Sequence, residues 1–352
     1  MTPQLPLPYL TADLPGIGGE IRVTPEDFCV EERPLYLPCG TGEHLYLSIT
    51  KRGLSTPDLV GRLSSTLGVK AMGIGVAGLK DARAVTTQMV SVHGIGEERL
   101  ARLQPDDRIL AVRVLGRHTN RLRTGHHAGN VFRIVLREVH AEARERLPPI
   151  LEVLRERGVP NYFGPQRQGR EGDNYLTGVA LLHDAKRRAA MSRAKRMWYL
   201  NAYQSVLFNR ILARRIDRLD RMLVGDWAVK HVNGACFHVE DAAAEQARAD
   251  AFEISPTGLL FGSRVSWATG EPGAIEQAVV AEEGATPESL KQAAAACGFR
   301  GERRALRVPA GDVTWSFEED GSVVLSFALP AGAYATNLLR EAMKTGRPDA
   351  GV

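Results

Sequence analysis

The sequence predicts a mixed α/β protein of the α+β class, with one domain interrupted by an inserted one. Three observations carry this. Alternating apolar and polar runs crowd the chain before residue 140, as in Glu43–Thr50, where Leu45, Leu47 and Ile49 share a face. A second strand pair is expected after residue 312, because Val313–Phe317 and Val323–Phe327 flank Asp320-Gly321, a strong hairpin signal. Between them, Ser192–Leu219 carries the period of one long helix, with Met197, Leu200, Leu207, Phe208, Ile211, Leu212 and Ile216 as its buried stripe. The expected division is 1–157 for the first part of the core, 158–305 for the insertion and 306–352 for the last part.

The remaining elements follow in order. Residues 1–20 are rich in Pro and Gly and read as an extended arm. Thr56 is the expected cap of a helix with Pro57 in its first turn and Leu59, Val60, Leu63 and Leu67 on its apolar face. Strands are expected near Met89–Val92, over Arg108–Leu115 and over Asn130–Val139. Glu142–Arg157 reads as a helix stopped by Gly158 and Pro160. Residues 223–280 are mixed. Pro287–Ala296 reads as a helix capped by Thr286, and Tyr334–Lys344 as a last helix ended by Gly346 and Pro348.

Composition bounds the function. The chain has 352 residues, enough for two domains with ordinary cores. Hydrophobic content of 44% and charged content of 24% are those of a soluble globular protein. No apolar run is long enough to span a bilayer, and the first residues lack the pattern of a secretory signal, so a cytoplasmic protein without membrane contact is expected. Cys29, Cys39, Cys236 and Cys297 fit neither a disulfide framework nor a zinc site, so reduced and mostly structural thiols are expected, with no metal. The net charge is only +4, so the placing of charge matters more than its sum. Only eight of the 45 basic residues are Lys; arginine suits flat, bidentate phosphate contacts, although a GC-rich coding bias yields the same excess.

The most informative stretch is Gly78-Leu79-Lys80-Asp81-Ala82-Arg83-Ala84-Val85-Thr86-Thr87-Gln88. Gly73, Gly75 and Gly78 favour a loop, and Val85 onward favours a strand. Asp81 is therefore presented at a strand entrance with Lys80 and Arg83 beside it. Cations that close keep a carboxylate ionised, which suits chemistry on a nucleotide. The plainer reading is a surface loop with an ion pair of little energetic weight.

This stretch resembles the signature of the TruD family of tRNA pseudouridine synthases. Four more segments resemble family motifs in the same order: Pro25–Glu31, Gly129–Arg137, Asn161–Arg167 and Phe327–Thr336. Two departures stand out. Gln168 takes a place where the family often has Phe, and Ala82 follows Asp81 where it often has a basic or bulky residue. The resemblance implies a pseudouridine synthase core with a mostly antiparallel sheet and a family-specific insertion. It implies isomerisation of uridine 13 in the D-arm of tRNA by a monomer without cofactor, with Asp81 as the catalytic carboxylate. Lys80, Arg83 or Arg22 would be its cation. It moves Phe28, Phe132 and Phe327 from ordinary core residues to a nucleotide pocket or its support. Asn130 and Phe132 are two residues apart and so share a strand face; an amide there can read a uracil edge while the ring stacks on the base.

Other patterns weigh less. Gly73–Gly78 matches G-x-G-x-x-G, but Lys70-Ala71-Met72 is a poor strand before it and Val85-Thr86-Thr87 a poor helix after it, so nicotinamide binding is disfavoured. His126-His127 lacks acidic or thiol partners for a metal. Arg117, His118, Arg121, Arg123, His126 and His127 form a basic approach to Asn130 that suits a phosphate backbone or an ordinary solvated loop. Lys186, Arg187, Arg188, Arg193, Lys195 and Arg196 form another, at a helix start where cations oppose the macrodipole. The competing class is a non-catalytic RNA-binding module or tRNA chaperone, for which Asp81 would be dispensable.

Overall fold

The computed structural model describes residues 7–169 and 171–345. They form two compact units. One comprises Ile17–Arg144 and Ala310–Ala335; the other comprises Glu145–Pro309 with the described residues up to Gly16 and from Thr336 onward.

The first unit is built on a nine-stranded sheet. Its main path runs Gly311–Phe317, Val323–Pro330, His127–Val139, Phe28–Pro34, Val85–His93, His44–Arg52, Ile109–His118. Short strands Gly18–Glu20 and Ile74–Val76 pair with His127–Val139 and Val85–His93. The pairings are antiparallel except one: Phe28–Pro34 runs parallel to Val85–His93, with Cys29 opposite Val85. Parallel neighbours begin at the same end, so the segments that lead into them lie side by side. That places Arg22, before one strand, beside Asp81, before the other.

Alternation explains the core. Leu45, Leu47 and Ile49 point to one face and pack on Leu59, Leu63 and Leu67 of the Thr56–Leu67 helix. The same row continues to Lys51, which is fully buried. The helix start differs from expectation. Ser55 is the cap, accepting from the Asp58 amide at 3.2 Å, and Thr56 is the first helical residue. The Thr56 hydroxyl is turned inward, where it accepts from the Lys80 amide at 2.9 Å and donates to Gln88 Oε1 at 3.1 Å. Of Gly73, Gly75 and Gly78, Gly75 lies not in a loop but inside the Ile74–Val76 strand, paired with Ser91, and it is the one packing demands: a Cβ there would lie 2.3 Å from the Leu122 carbonyl oxygen. The expected hairpin is present, with Gly321 at φ +81° in its tip.

The second unit holds a four-stranded sheet in the order Cys236–His238, Trp227–Lys230, Ile254–Leu260, Glu302–Ala305. The long helix runs Arg193–Arg215, and its last expected turn tightens to 3-10 over Ile216–Arg218. The Asn161–Arg167 segment is fixed from two helices. Asn209 exchanges hydrogen bonds with both backbone groups of Phe163, at 2.8 and 2.9 Å, and Asn337 donates to the Tyr162 carbonyl at 2.9 Å. Gln168, the polar departure from the motif, is buried and donates to the Ala202 carbonyl and Ser205 Oγ. The last helix, Ala335–Met343, ties down the arm: the Leu10 and Thr11 amides donate to the Glu341 carboxylate at 3.1 and 3.0 Å. Gly346 and Pro348, the expected stop, lie outside the described residues.

Among the described residues no helix is long and apolar enough to cross a membrane. The four cysteines are free. Cys39 is not a structural thiol: it is exposed, and its Sγ lies 3.1 Å from His118 Nδ1. Backbone hydrogen bonding at Thr41 and Thr119, together with His118, pulls its pKa down to about 6.

Candidate active site

The residues singled out in the sequence meet in the first unit. Asp81 sits in the loop before Val85, with its side chain 48% exposed. Arg22 Nη2 donates to Asp81 Oδ2 at 2.8 Å. Arg22 is itself well covered, with its guanidinium 4.2 Å over the Phe28 ring. It holds φ +60°, a left-handed conformation that a non-glycine residue seldom adopts. This is backbone strain at a residue that reaches the carboxylate.

Lys80 does not serve Asp81. Its side chain is buried and turned away, with Nζ 2.8 Å from Glu32 Oε2 and donating to Asn130 Oδ1 at 2.9 Å. Glu32 also accepts from the Met89 amide at 3.1 Å. Arg83 is exposed on the same loop.

The three phenylalanines form one aromatic block. Phe132 and Phe327 face each other in register on adjacent strands and stack at 5.2 Å between centroids. Phe28 meets Phe132 edge-on at 6.3 Å. All three are buried, and Phe28 carries Arg22. The contacts therefore run Asp81, Arg22, Phe28, Phe132, Phe327, with Lys80 bonded to Asn130, two residues along the strand from Phe132. The turn before Phe28 is anchored by Asp27, which is buried and gripped by the Arg137 guanidinium at 2.7–3.1 Å. Burial works against the Asp27 charge, but Arg137 and Thr24 outweigh it and hold its pKa below the usual value.

Two residues were not singled out in the sequence. Glu32 reads there as one more strand residue. Lys51 reads as the end of an apolar row, yet its Nζ donates to the Leu54 carbonyl and to the backbone carbonyl of Asp81 at 3.3 Å. A buried ammonium thus holds the loop that carries the carboxylate. Burial draws its pKa down to about 8, against the attraction of Asp81 and with Lys80 adding repulsion; Asp58 is the remaining charge facing it. The unfolded lysine titrates near 10.4. Between these values the unfolded chain binds the extra proton, so stability from this group rises with pH across about 8 to 10. The melting temperature of the wild type should therefore gain on that of Lys51→Met as pH is raised from about 7 to 10. A constant difference would show that Lys51 titrates normally. Leu79, between Lys80 and Gly78, is 77% exposed, an apolar side chain held outward beside the carboxylate.

The basic approach to Asn130 is partly used within the fold. Arg117 and Arg121 donate to the Ile95 and Ile74 carbonyls, and the Tyr36 hydroxyl lies 2.8 Å from His126 Nδ1. Among the described residues no group of three or more His, Cys, Asp or Glu is placed to hold a metal.

The matches to known proteins extend over the stretch of chain that holds the five segments. The family model for tRNA pseudouridine synthase D (TruD) matches residues 4–195 and 189–342. A tRNA pseudouridine synthase D from Geobacter metallireducens is 43% identical, over 97% of this chain and 98% of its own length. One from Thermus thermophilus is 46% identical, over 96% and 92%. The crystal structure of a Methanosarcina mazei protein assigned to tRNA pseudouridine synthase D superposes with a TM-score of 0.82 at 26% identity, covering 96% of each chain.

Proposed function

The chain belongs to the tRNA pseudouridine synthase D family and is an isomerase; on that premise we propose that it converts uridine 13 in the D-arm of tRNA to pseudouridine, with Asp81 as the reacting carboxylate. The N1–C1′ bond of the uridine breaks, the uracil turns, and C5 bonds to C1′. The C5 proton leaves and N1 gains one, so no outside reactant is consumed. The observation that carries the reading is the Asp81–Arg22 pair joined to the Phe28–Phe132–Phe327 block.

Each residue has a task in this reading. Arg22 holds the Asp81 carboxylate in place at 2.8 Å, ready to bond at the ribose or the base, or to stabilise charge and move a proton at the sugar. Lys80 orients the Asn130 amide toward the uracil edge, and the aromatic block supports the base. Leu79 offers apolar surface to a neighbouring base. Arg83 contacts phosphate. Extruding the uridine costs a few kcal/mol, which contacts to the flipped base in the site offset. The enzyme acts as a cytoplasmic monomer on tRNA.

The test of the site within the RNA is a substrate change. Tritium at C5 of uridine is released when C5 becomes bonded to the ribose. A tRNA transcript labelled at C5 of its uridines should release about one tritium per molecule, and the same transcript with cytidine at position 13 should release none. Undiminished release from the cytidine transcript would move the reaction to another uridine.

A further inference from the structure

We propose that the second unit carries a platform for an unpaired stretch of the tRNA, built from Trp198 and the cations Lys186, Arg187, Arg193 and Lys195. The inference rests on the tRNA reading above and names a surface outside the reaction site. Its first support is charge. From Ala185 to Ile216 the chain has no acidic residue, while six cations fall within residues 186–196. A merely solvated helix face would mix the two signs, the more so here, because cations near helix starts oppose the macrodipole.

Its second support is how those cations are held. Arg188 and Arg196 are spent inside the fold. Arg188 donates to the Leu181 and Leu182 carbonyls at 2.8 and 3.1 Å, in the last turn of the Asn174–His183 helix. Arg196 donates to the Arg188 carbonyl at 3.0 Å, which ties the short Ala185–Ala189 helix to the first turn of the Arg193–Arg215 helix. The other four are exposed, and among the described residues none of them makes an ion pair. Two arginines thus fix a scaffold from which four cations face solvent.

Its third support is Trp198, one turn beyond Lys195 and 50% exposed. Helical side chains lean toward the N-terminus, so the indole lies over the turn that carries Lys195. Tyr199 backs it, with ring centroids 5.0 Å apart. A half-exposed indole among phosphate-binding cations matches a base stacked between charged backbone contacts. A membrane surface would need more apolar area, and Trp198 is the one large exposed hydrophobic residue between Ala185 and Ile216 among the described residues.

The experiment is binding of an unmodified tRNA transcript by the full-length protein, with product formation measured in parallel. Trp198→Ala should weaken binding by about tenfold or more, from the loss of one stacked base, and leave turnover at saturating tRNA unchanged. Trp198→Phe should restore most of the affinity. Replacing the four cations with alanine should flatten the dependence of log affinity on log salt by about three. Unchanged near-ultraviolet circular dichroism and melting would show that the variants fold. Affinities within about twofold of wild type for all variants would overturn the platform, as would a loss confined to turnover. Wild type that neither binds nor modifies tRNA would instead defeat the reading on which the platform rests.

Discussion

Asp81→Ala is expected to lower turnover by about a thousandfold or more while leaving tRNA affinity equal or slightly higher. The first part follows from removing the carboxylate proposed to react, an effect of about 10²–10⁴ for a proton-transfer role and more for a covalent one. The second follows from position. Asp81 is half-exposed on a loop, with its side chain joined to Arg22. Its loss takes one negative charge away from the path of a polyanion and frees the Arg22 guanidinium to meet phosphate. The loop itself is held by other groups, Lys51 at the Asp81 carbonyl and Thr56 at the Lys80 amide, so the fold should survive. Single-turnover rates and filter-binding affinities on the same transcript check both parts. Equal loss of rate and affinity would assign Asp81 to binding.

Lys80→Met should strongly destabilise the first unit. Lys80 and Glu32 have side chains 5% and 1% exposed, 2.8 Å apart. Removing one partner of such a pair strands the other charge in the interior, at about 3–5 kcal/mol. Asn130 Oδ1 loses its donor as well. The melting temperature of this unit should fall by roughly 10 °C. The double variant Lys80→Met with Glu32→Gln should recover part of that, because the stranded charge is gone. No recovery would mean that Lys80 acts through packing, not through Glu32.

How much of this is legible in the sequence depends on whether the signal is local. The hairpin at Asp320-Gly321 and the helix capped by Thr286 are set by neighbouring residues, and both appear where expected. The Ser55 cap lies one residue before the expected position because Ser and Thr both cap well, and the site draws Thr56 inward to Lys80 and Gln88. In the site, the motif exposes Asp81, but sequence proximity suggests Lys80 or Arg83 equally with Arg22. The cation that meets Asp81 lies 59 residues away, brought there by a parallel strand pairing that alternation does not reveal. Alternation tells which residues share a face, and so puts Asn130 with Phe132. It does not tell which strands are neighbours, and so gives no sign that Phe132 stacks on Phe327. Lys51 is hidden for a related reason: a lysine ending an apolar row reads as an edge, and only the fold shows a buried ammonium with two carbonyls to satisfy.

The central claim is that Asp81 isomerises one uridine of tRNA. Its most direct test is pseudouridine mapping at single-nucleotide resolution, by carbodiimide adducts and primer extension, on an unmodified tRNA pool treated with wild type or Asp81→Ala. The account predicts a new stop attributable to position 13 with wild type and no stop with the variant. The same stop with Asp81→Ala, or no stop at any uridine with folded wild type that binds tRNA, would contradict it.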